Sequence, residues 1–367
     1  MNVLVVNAGS STLKLALLAG DDRMLAEREL EVPGLEIGAD ALHAALAAGL
    51  GSADVVGHRI VHGGERFSEA VIVDPAVHDA LQELVDLAPL HQPKSLAALA
   101  AVSEALPDVP SVACFDTAFH RTMSDAAATY ALPTAWRERW HVRRYGFHGL
   151  SHGWIAKRAP ELLGVPAAGL RLVSCHLGAG ASLCAILDGR SVDTTMGFTP
   201  LEGLVMATRS GSVDPGVMLW LLERTGITEH ELAHALEHES GLLALAGTAD
   251  MRQVLGAVDR GDSRARLALA VYAHRLRAGI AAMAAAIGGV DAVAFTGGIG
   301  QRSPELRADA AAGLDFLGLA IDPELNANGR ADREVTAAGA RARTLVIEAR
   351  EDLEIARQAR AVIRAAV

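Results

Sequence analysis

The sequence is poor in cysteine and has no excess of positive charge. Cys114, Cys175 and Cys184 are too few and too oddly numbered for a disulfide framework, and no two of them have the CxxC spacing of a zinc site. They read as buried thiols in a reducing compartment. Against 33 basic side chains stand 44 acidic ones, a net charge of −11. That balance argues against nucleic acid or an anionic membrane surface as a partner, since both are polyanions. No basic stretch precedes the first apolar run, so MNVLVVNAGSS reads as a strand and not as a secretion signal. The most membrane-like stretch, Leu267 to Ile287, is broken by His274, Arg275 and Arg277, and the rest of it is too short to span hydrocarbon. It reads as a buried, alanine-rich helix. What remains is a globular composition, 51% hydrophobic and 21% charged over 367 residues, with length enough for two domains.

Val3 to Val6 is a continuous apolar run ended by Asn-Ala-Gly-Ser-Ser, and Leu13 to Leu18 resumes it: strand, small-residue turn, strand. The same plan returns near Leu170 to Arg190 as LRLVSCH, LGAGAS and LCAILDGR. A recurrence half a chain away predicts two related domains. A third glycine turn, Gly297-Gly298-Ile299-Gly300, follows the strand Ala292 to Phe295 and precedes a helix with Pro304 in its first turn. Three glycine turns after strands point to a nucleotide site. Helices are expected at Ala76–Leu87, Ser95–Leu106, Trp154–Leu163, Val217–Arg224, Glu229–Glu239 and Ser263–Ile287, with a final strand and helix at Arg343–Ile347 and Glu351–Ala366. Alternation of this kind predicts α/β domains, the last helix returning to the first of them.

The turn from Asn7 to Lys14 gathers small residues, hydroxyls and a lysine. It suits a phosphate cradle of backbone N–H groups, and equally an ordinary hairpin turn. In GHRIVHGGE, Arg59 and His58 have the charge to bind an anion, or Arg59 is a surface cation. Asp116 follows an apolar run, where α/β sheets present carboxylates, although aspartate there is also a favoured helix N-cap. His148 and His152 are four apart without the glutamate of a zinc-protease helix, which favours phosphate hydrogen bonding or simple packing over metal ligation. Arg209 sits among small residues in a long turn-rich stretch, placed either to approach a ligand or to hold the loop by an ion pair.

Together these segments resemble the acetate kinase family, within the acetate/sugar kinase, Hsp70 and actin superfamily. The resemblance is carried in order by NAGSSTLK, GHRIVHGGE, LAPLH, FDTAFH, RYGFHGLSH, CHLGAGAS, TTMGFTPLEGLVMATRSGSVDP and FTGGIG. It implies an α/β, two-domain actin-like ATPase with a duplicated, ribonuclease H-like βββαβαβα core, a nucleotide cleft between domains, and a cytoplasmic homodimer. The expected domains are 1–120 with 353–367, and 121–352. The implied reaction is Mg²⁺- or Mn²⁺-dependent, reversible transfer of the ATP γ-phosphoryl group to acetate, giving acetyl phosphate and ADP. By resemblance, Arg59, Asp116, His148 and Arg209 form the catalytic set, and Arg59, Val61, Leu90, Phe147 and Pro200 hold the acid. Asn7, Ser10, Ser11, Thr12, Lys14, His176, Gly178, Gly180, Asp250, Met251, Arg252, Gly298, Ile299 and Arg302 fall on nucleotide-binding positions, with Asn7 and Glu351 at the metal.

The chain departs from the family pattern in four places, mostly on the nucleotide side. Ala179 and Ala181 stand in a turn usually written LGNGSS, and Gln301-Arg302 replaces an acid and an amide. Gln92-Pro93-Lys94 replaces Asn-Pro-Pro, and Ala349-Arg350-Glu351-Asp352 replaces Thr-Asn-Glu-Glu. A longer short-chain acid such as propionate, or a weakened nucleotide-binding paralogue with a different phosphoryl donor, are the alternatives these features leave.

Overall fold

In the computed structural model, which describes residues 1–9, 12–32, 42, 44–50, 52–85, 92–330 and 332–366, the first apolar run becomes β1 (Val3–Ala8). β1 pairs antiparallel with β2 (Thr12–Leu18), Asn7 opposite Lys14, and β3 (Met24–Glu31) extends the hairpin. The run shows no alternation because β1 is covered on both faces. Leu4 and Val6 pack with Leu13, Leu15, Leu17 and with Ala98 and Val102 of the helix Gln92–Ala105. Val3 and Val5 pack with Leu18, Val112 and with Ile355, Ala356 and Ala359 of the C-terminal helix Glu351–Ala366. A strand buried on both sides carries apolar residues at every position, and each such Val or Leu contributes about 1.5–3 kcal/mol.

β4 (Val55–Ile60), β5 (Val71–Ile72) and β6 (Ser111–Phe115) complete a six-stranded sheet in the order β3-β2-β1-β4-β6-β5. β1, β4 and β6 are parallel neighbours, so their carboxyl ends lie along one edge of the sheet. A second sheet is built from β7 (Arg171–Leu177), β8 (Ala181–Leu187), β9 (Arg190–Thr194), β10 (Ala292–Thr296), β11 (Arg333–Glu334) and β12 (Arg343–Val346). Its order, β9-β8-β7-β10-β12-β11, repeats that of the first sheet strand for strand, with the same parallel and antiparallel pairings. The short recurrence seen in the sequence is therefore the visible part of a duplicated sheet.

The chain divides into two compact units, Met1–Arg121 with Phe147–Trp154 and Arg350–Val367, and Thr122–Gly146 with Ile155–Ala349. In the second unit the helix Ser263–Ala286 buries Ala268, Tyr272, Leu276, Ile280 and Met283, a stripe at helical spacing. No described helix is long and apolar enough to cross a membrane.

Some elements differ from the expectations. The third glycine turn is itself a helix, Gly297–Arg302, starting directly after β10, because Gly297 takes φ +77° and turns the chain at once. The helix expected from Trp154 begins at Gly149, and the one expected over Glu229–Glu239 ends at His234 and continues as a π-helical segment, Ala235–Glu239. Ser10, Ser11 and Leu90 lie outside the described residues.

Candidate active site

In the first unit, three side chains leave the carboxyl ends of neighbouring parallel strands and meet. Asn7 comes from the end of β1, Arg59 from the end of β4, and Asp116 from just after β6. Arg59 Nε donates to Asp116 Oδ1 and Oδ2 at 3.2 and 3.1 Å, and Nη2 donates to Oδ2 at 2.6 Å. Arg59 Nη1 donates to Asn7 Oδ1 at 3.1 Å, and Asn7 Nδ2 donates to Glu351 Oε2 at 3.2 Å. The result is a line, Asp116–Arg59–Asn7–Glu351, across the sheet's carboxyl edge, where open α/β sheets bind ligands. Burial works against the Arg59 charge, but Asp116 and Glu351 outweigh it and hold its pKa above the ordinary arginine value. Asp116 is 1% exposed and the Arg59 side chain 18% exposed, so the carboxylate is the more deeply buried partner.

The histidines separate into two kinds. His148 is half-buried and holds φ +56°, a left-handed conformation uncommon outside glycine and a mark of functional positions when it persists. The next residue, Gly149, donates its N–H to the Asp116 carbonyl at 2.9 Å. A Cβ at 149 would stand 2.1 Å from that oxygen, so only glycine lets the helix start this close to Asp116. His152 is fully buried against the His120 ring, centroids 5.7 Å apart, and among the described residues no cluster of His, Cys, Asp or Glu could hold a metal ion by itself. His58, expected beside Arg59 as an anion ligand, points the other way. It is buried, bonded to Ser111 Oγ at 3.2 Å, and burial lowers its pKa to about 3, leaving it neutral.

Val61 and Phe147 are both buried in this unit, and His62 lies edge-on to Phe147 with ring centroids 5.5 Å apart. The chain after Val61 is pinned: His62 N–H donates to Gln92 Oε1 and Gln92 Nε2 to the His62 carbonyl, each at 3.1 Å, while Gly63 N–H donates to Thr117 Oγ1. Lys14 stands 3.9 Å from Glu29 on the adjacent strand, both exposed, and Gly9 N–H closes the first turn on the Thr12 carbonyl at 2.7 Å.

The second unit has a matching edge. His176 and the Gly178–Gly180 turn end β7, where Gly178 N–H donates to the Gly180 carbonyl at 2.9 Å; the helix Gly297–Arg302 follows β10. Ala179 is exposed, and its carbonyl accepts from Ala207 N–H at 3.0 Å, linking this turn to the Arg209 loop. Arg209 Nε donates to Glu237 Oε2 at 2.9 Å, Thr208 Oγ1 to the Glu237 carbonyl at 2.8 Å, and Ser210 N–H to the Leu236 carbonyl at 3.0 Å. The loop is thus fastened along Ala235–Glu239, and Glu237 had no local sequence signal. Asp250 caps the helix Met251–Asp259 and pairs with exposed Arg252, whose hydrogen bond keeps the Asp250 carboxyl below its usual range; Met251 is buried. Pro200 is buried, and Arg302 is exposed. With its amide oriented to satisfy both donors, Gln301 accepts from Gly297 N–H at 3.3 Å and Ala349 N–H at 2.9 Å.

A family profile described as the Acetokinase family matches residues 32–357. The chain belongs to this family. It is 46% identical to an acetate kinase of Leifsonia xyli, covering 97% of this chain and 98% of that protein, and 42% identical to one of Trichormus variabilis, covering 98% of each. Among solved structures, an acetate kinase of Porphyromonas gingivalis matches with TM-score 0.90 at 34% identity over 99% of both chains. A propionate kinase of Francisella tularensis matches with TM-score 0.91 at 32% identity, covering 98% of this chain and 99% of that one. The fold is thus the actin-like one that the family shares.

Proposed function

We propose that the chain is an acetate kinase, transferring the ATP γ-phosphoryl group to acetate reversibly and directly, giving acetyl phosphate and ADP. The single observation that carries this is the Asp116–Arg59–Asn7–Glu351 line, a partly buried arginine fixed by a buried carboxylate at the carboxyl edge of the parallel strands.

Acetate is already ionised at neutral pH, so no general base is needed to make the nucleophile. The barrier is the approach of two anions and the charge on the transferred group, which positioned cations lower. Arg59 and Arg209 bind carboxylate and phosphoryl oxygens through forked N–H groups, and His148 donates to an equatorial oxygen. Asp116 keeps Arg59 in place. Asn7 and Glu351 are assigned to the metal: an amide oxygen and a carboxylate are donors for a hard cation completed by water and nucleotide phosphates, the Asn7 oxygen here accepting from Arg59 and its Nδ2 donating to Glu351. Magnesium or manganese held there would neutralise charge on the transferred phosphoryl group.

Ser10, Ser11, Thr12 and Lys14 from the first turn, and His176, Gly178, Gly180, Asp250, Met251, Arg252, Gly298, Ile299 and Arg302 from the second unit, are assigned to the nucleotide. One feature of Gly298 supports this: a Cβ there would meet no protein atom within 4 Å, so the protein's own packing does not require the glycine.

Val61, Leu90, Phe147 and Pro200 are assigned to the acetate methyl group. With about four heavy atoms at a ceiling of roughly 1.5 kcal/mol each, acetate gains at best about 6 kcal/mol, a bound of tens of micromolar, and binding short of that ceiling puts the expected KM in the millimolar range. One extra methylene changes discrimination by only about 1–3 kcal/mol, so propionate is the expected second substrate. The likeness to a propionate kinase accords with that.

The acting form is a cytoplasmic homodimer. In its support, the helix Pro215–Arg224 buries none of its residues and leaves Leu219 60% and Trp220 57% exposed, an apolar face suited to a second copy. Sedimentation at low concentration tests it. The activity is tested by trapping acyl phosphate as hydroxamate with acetate, magnesium and ATP, over a series of acids and with GTP and pyrophosphate as other donors. No acyl phosphate at millimolar acetate would sink the reading.

A further inference from the structure

The loop Gly197-Phe198-Thr199-Pro200-Leu201-Glu202-Gly203 is gathered at its base by a charged hub within the second unit. Glu202 Oε1 accepts from Arg144 Nη2 at 2.9 Å, and Glu202 Oε2 accepts from Tyr130 Oη at 2.5 Å. The Tyr130 oxygen in turn accepts from Phe198 N–H at 3.0 Å. Arg144 Nη1 donates to the carbonyls of Thr194, Thr195 and Met196 at 3.1, 3.3 and 3.0 Å, and its guanidinium lies over the Tyr130 ring at 5.5 Å. Just after Arg144, the N–H groups of Tyr145 and Gly146 both donate to the Gly197 carbonyl, at 3.1 and 3.2 Å. The hub needs the glycine: a Cβ at 197 would stand 1.7 Å from Glu202 Oε2 and 2.0 Å from Tyr130 Oη. Burial, followed by the bond to Glu202, pushes the Tyr130 hydroxyl well above its usual pKa, so it stays a donor throughout the working pH range.

Two segments distant in sequence, Tyr130 and Arg144–Gly146, therefore hold both ends of a seven-residue loop whose tip carries Pro200. None of the hydrogen bonds named here ends on the turns at Gly178 or Gly298; they end on the loop and on Thr194–Met196 just before it. We infer that Tyr130, Arg144 and Glu202 are positioning residues for acid recognition, fixing the 197–203 loop so that Pro200 meets the alkyl end of the carboxylate substrate. The inference rests on the assignment of Pro200 to the acid site made above.

The test is steady-state kinetics of the full-length enzyme with acetate, propionate and ATP for wild type, Tyr130→Phe, Glu202→Gln and the double variant, each with a thermal melt. Tyr130→Phe removes one hydroxyl and orphans the Phe198 N–H, an effect of about tenfold in substrate recognition. The expected result is a rise of about tenfold in acetate KM with a shifted acetate-to-propionate ratio, ATP KM within about twofold of wild type, and a double variant no worse than the poorer single one. Unchanged acetate KM and selectivity in a folded Tyr130→Phe enzyme overturns the inference, and so does a parallel rise in the KM for ATP. Should Glu202→Gln fail to fold, the milder Tyr130→Phe still decides. Wild-type enzyme that forms no acyl hydroxamate overturns the acetate reading and this inference with it, whereas active wild type with indifferent variants overturns this inference alone.

Discussion

Arg59 and Asp116 stand 57 residues apart in sequence and share a forked ion pair, three N–H···O contacts of 3.2 Å or less, in which the carboxylate is the buried member. Removing one partner of such a pair leaves the other without its compensation, and that costs more than the pair itself contributes. Asp116→Asn keeps the size but not the charge, so Arg59 loses its fixed orientation. Most of kcat should disappear with a modest change in acetate KM, as read by the hydroxamate assay. Near-normal turnover would remove Asp116 from its assigned role.

Arg209 pairs with Glu237, a residue outside its own loop. Arg209→Ala is expected to lower kcat/KM for acetate by about a hundredfold or more, the scale of losing one transition-state contact. Glu237→Gln should produce a smaller loss, because Thr208 still bonds the Glu237 carbonyl and the loop stays fastened. Equal losses in the two variants, measured side by side, would show that the arginine serves the loop alone.

His58 supplies a pH signature independent of catalysis. It takes up a proton near pH 3 in the folded chain against 6.5 for an ordinary histidine. Between those values the unfolded chain binds the extra proton, so stability rises with pH there. The contribution is complete above about pH 6.5 and is lost as pH falls toward 3, at about 1.4 kcal/mol per pH unit. From pH 7 to pH 5, wild type should lose about 2 kcal/mol more than His58→Gln in urea unfolding. Identical pH profiles for the two proteins would contradict it.

Arg307 is 1% exposed and donates to the carbonyls of Gly300, Gln301 and Asn326 and to Asn326 Oδ1, at 2.7 to 2.9 Å. Two of those carbonyls end the helix Gly297–Arg302, so a buried cation closes the carboxyl end of the helix assigned to nucleotide. Burial lowers its pKa to about 10, still well charged at neutral pH. Arg307→Met orphans several acceptors at about 1–3 kcal/mol each. The melting temperature should fall by about 4 °C or more and ATP KM should rise. An acetate KM that rose equally would refer the damage to the whole fold.

Much of the architecture was legible because its causes are local. The unbroken Val3–Val6 run announces a strand covered on both faces, and the small-residue breaks after it and after Leu177 announce the hairpins that start the two sheets. The membrane-like stretch resolved into a buried helix because its charges recur within the span. Helix starts were less legible where tertiary contact overrules propensity. Gly149 looks like a breaker, yet it opens a helix because the Asp116 carbonyl leaves no room for a side chain. In the candidate site, the strand-end residues Asn7, Arg59 and Asp116 could be read from position. Glu237, Gln92, Tyr130 and Arg307 could not, since each works through a partner placed by the fold and leaves no periodic or turn signal of its own. His58 was misjudged for the related reason that alternation along β4 sends it and Arg59 to opposite faces.

The helix Glu351–Ala366 packs against β1 and carries the glutamate bonded to Asn7. A strand is thereby closed by a helix far along the sequence, 344 residues separating Asn7 from Glu351. During vectorial synthesis the second unit's sheet can be complete while β1 still lacks its cover, so the first unit spends translation with one apolar face open to chaperones or to mispairing.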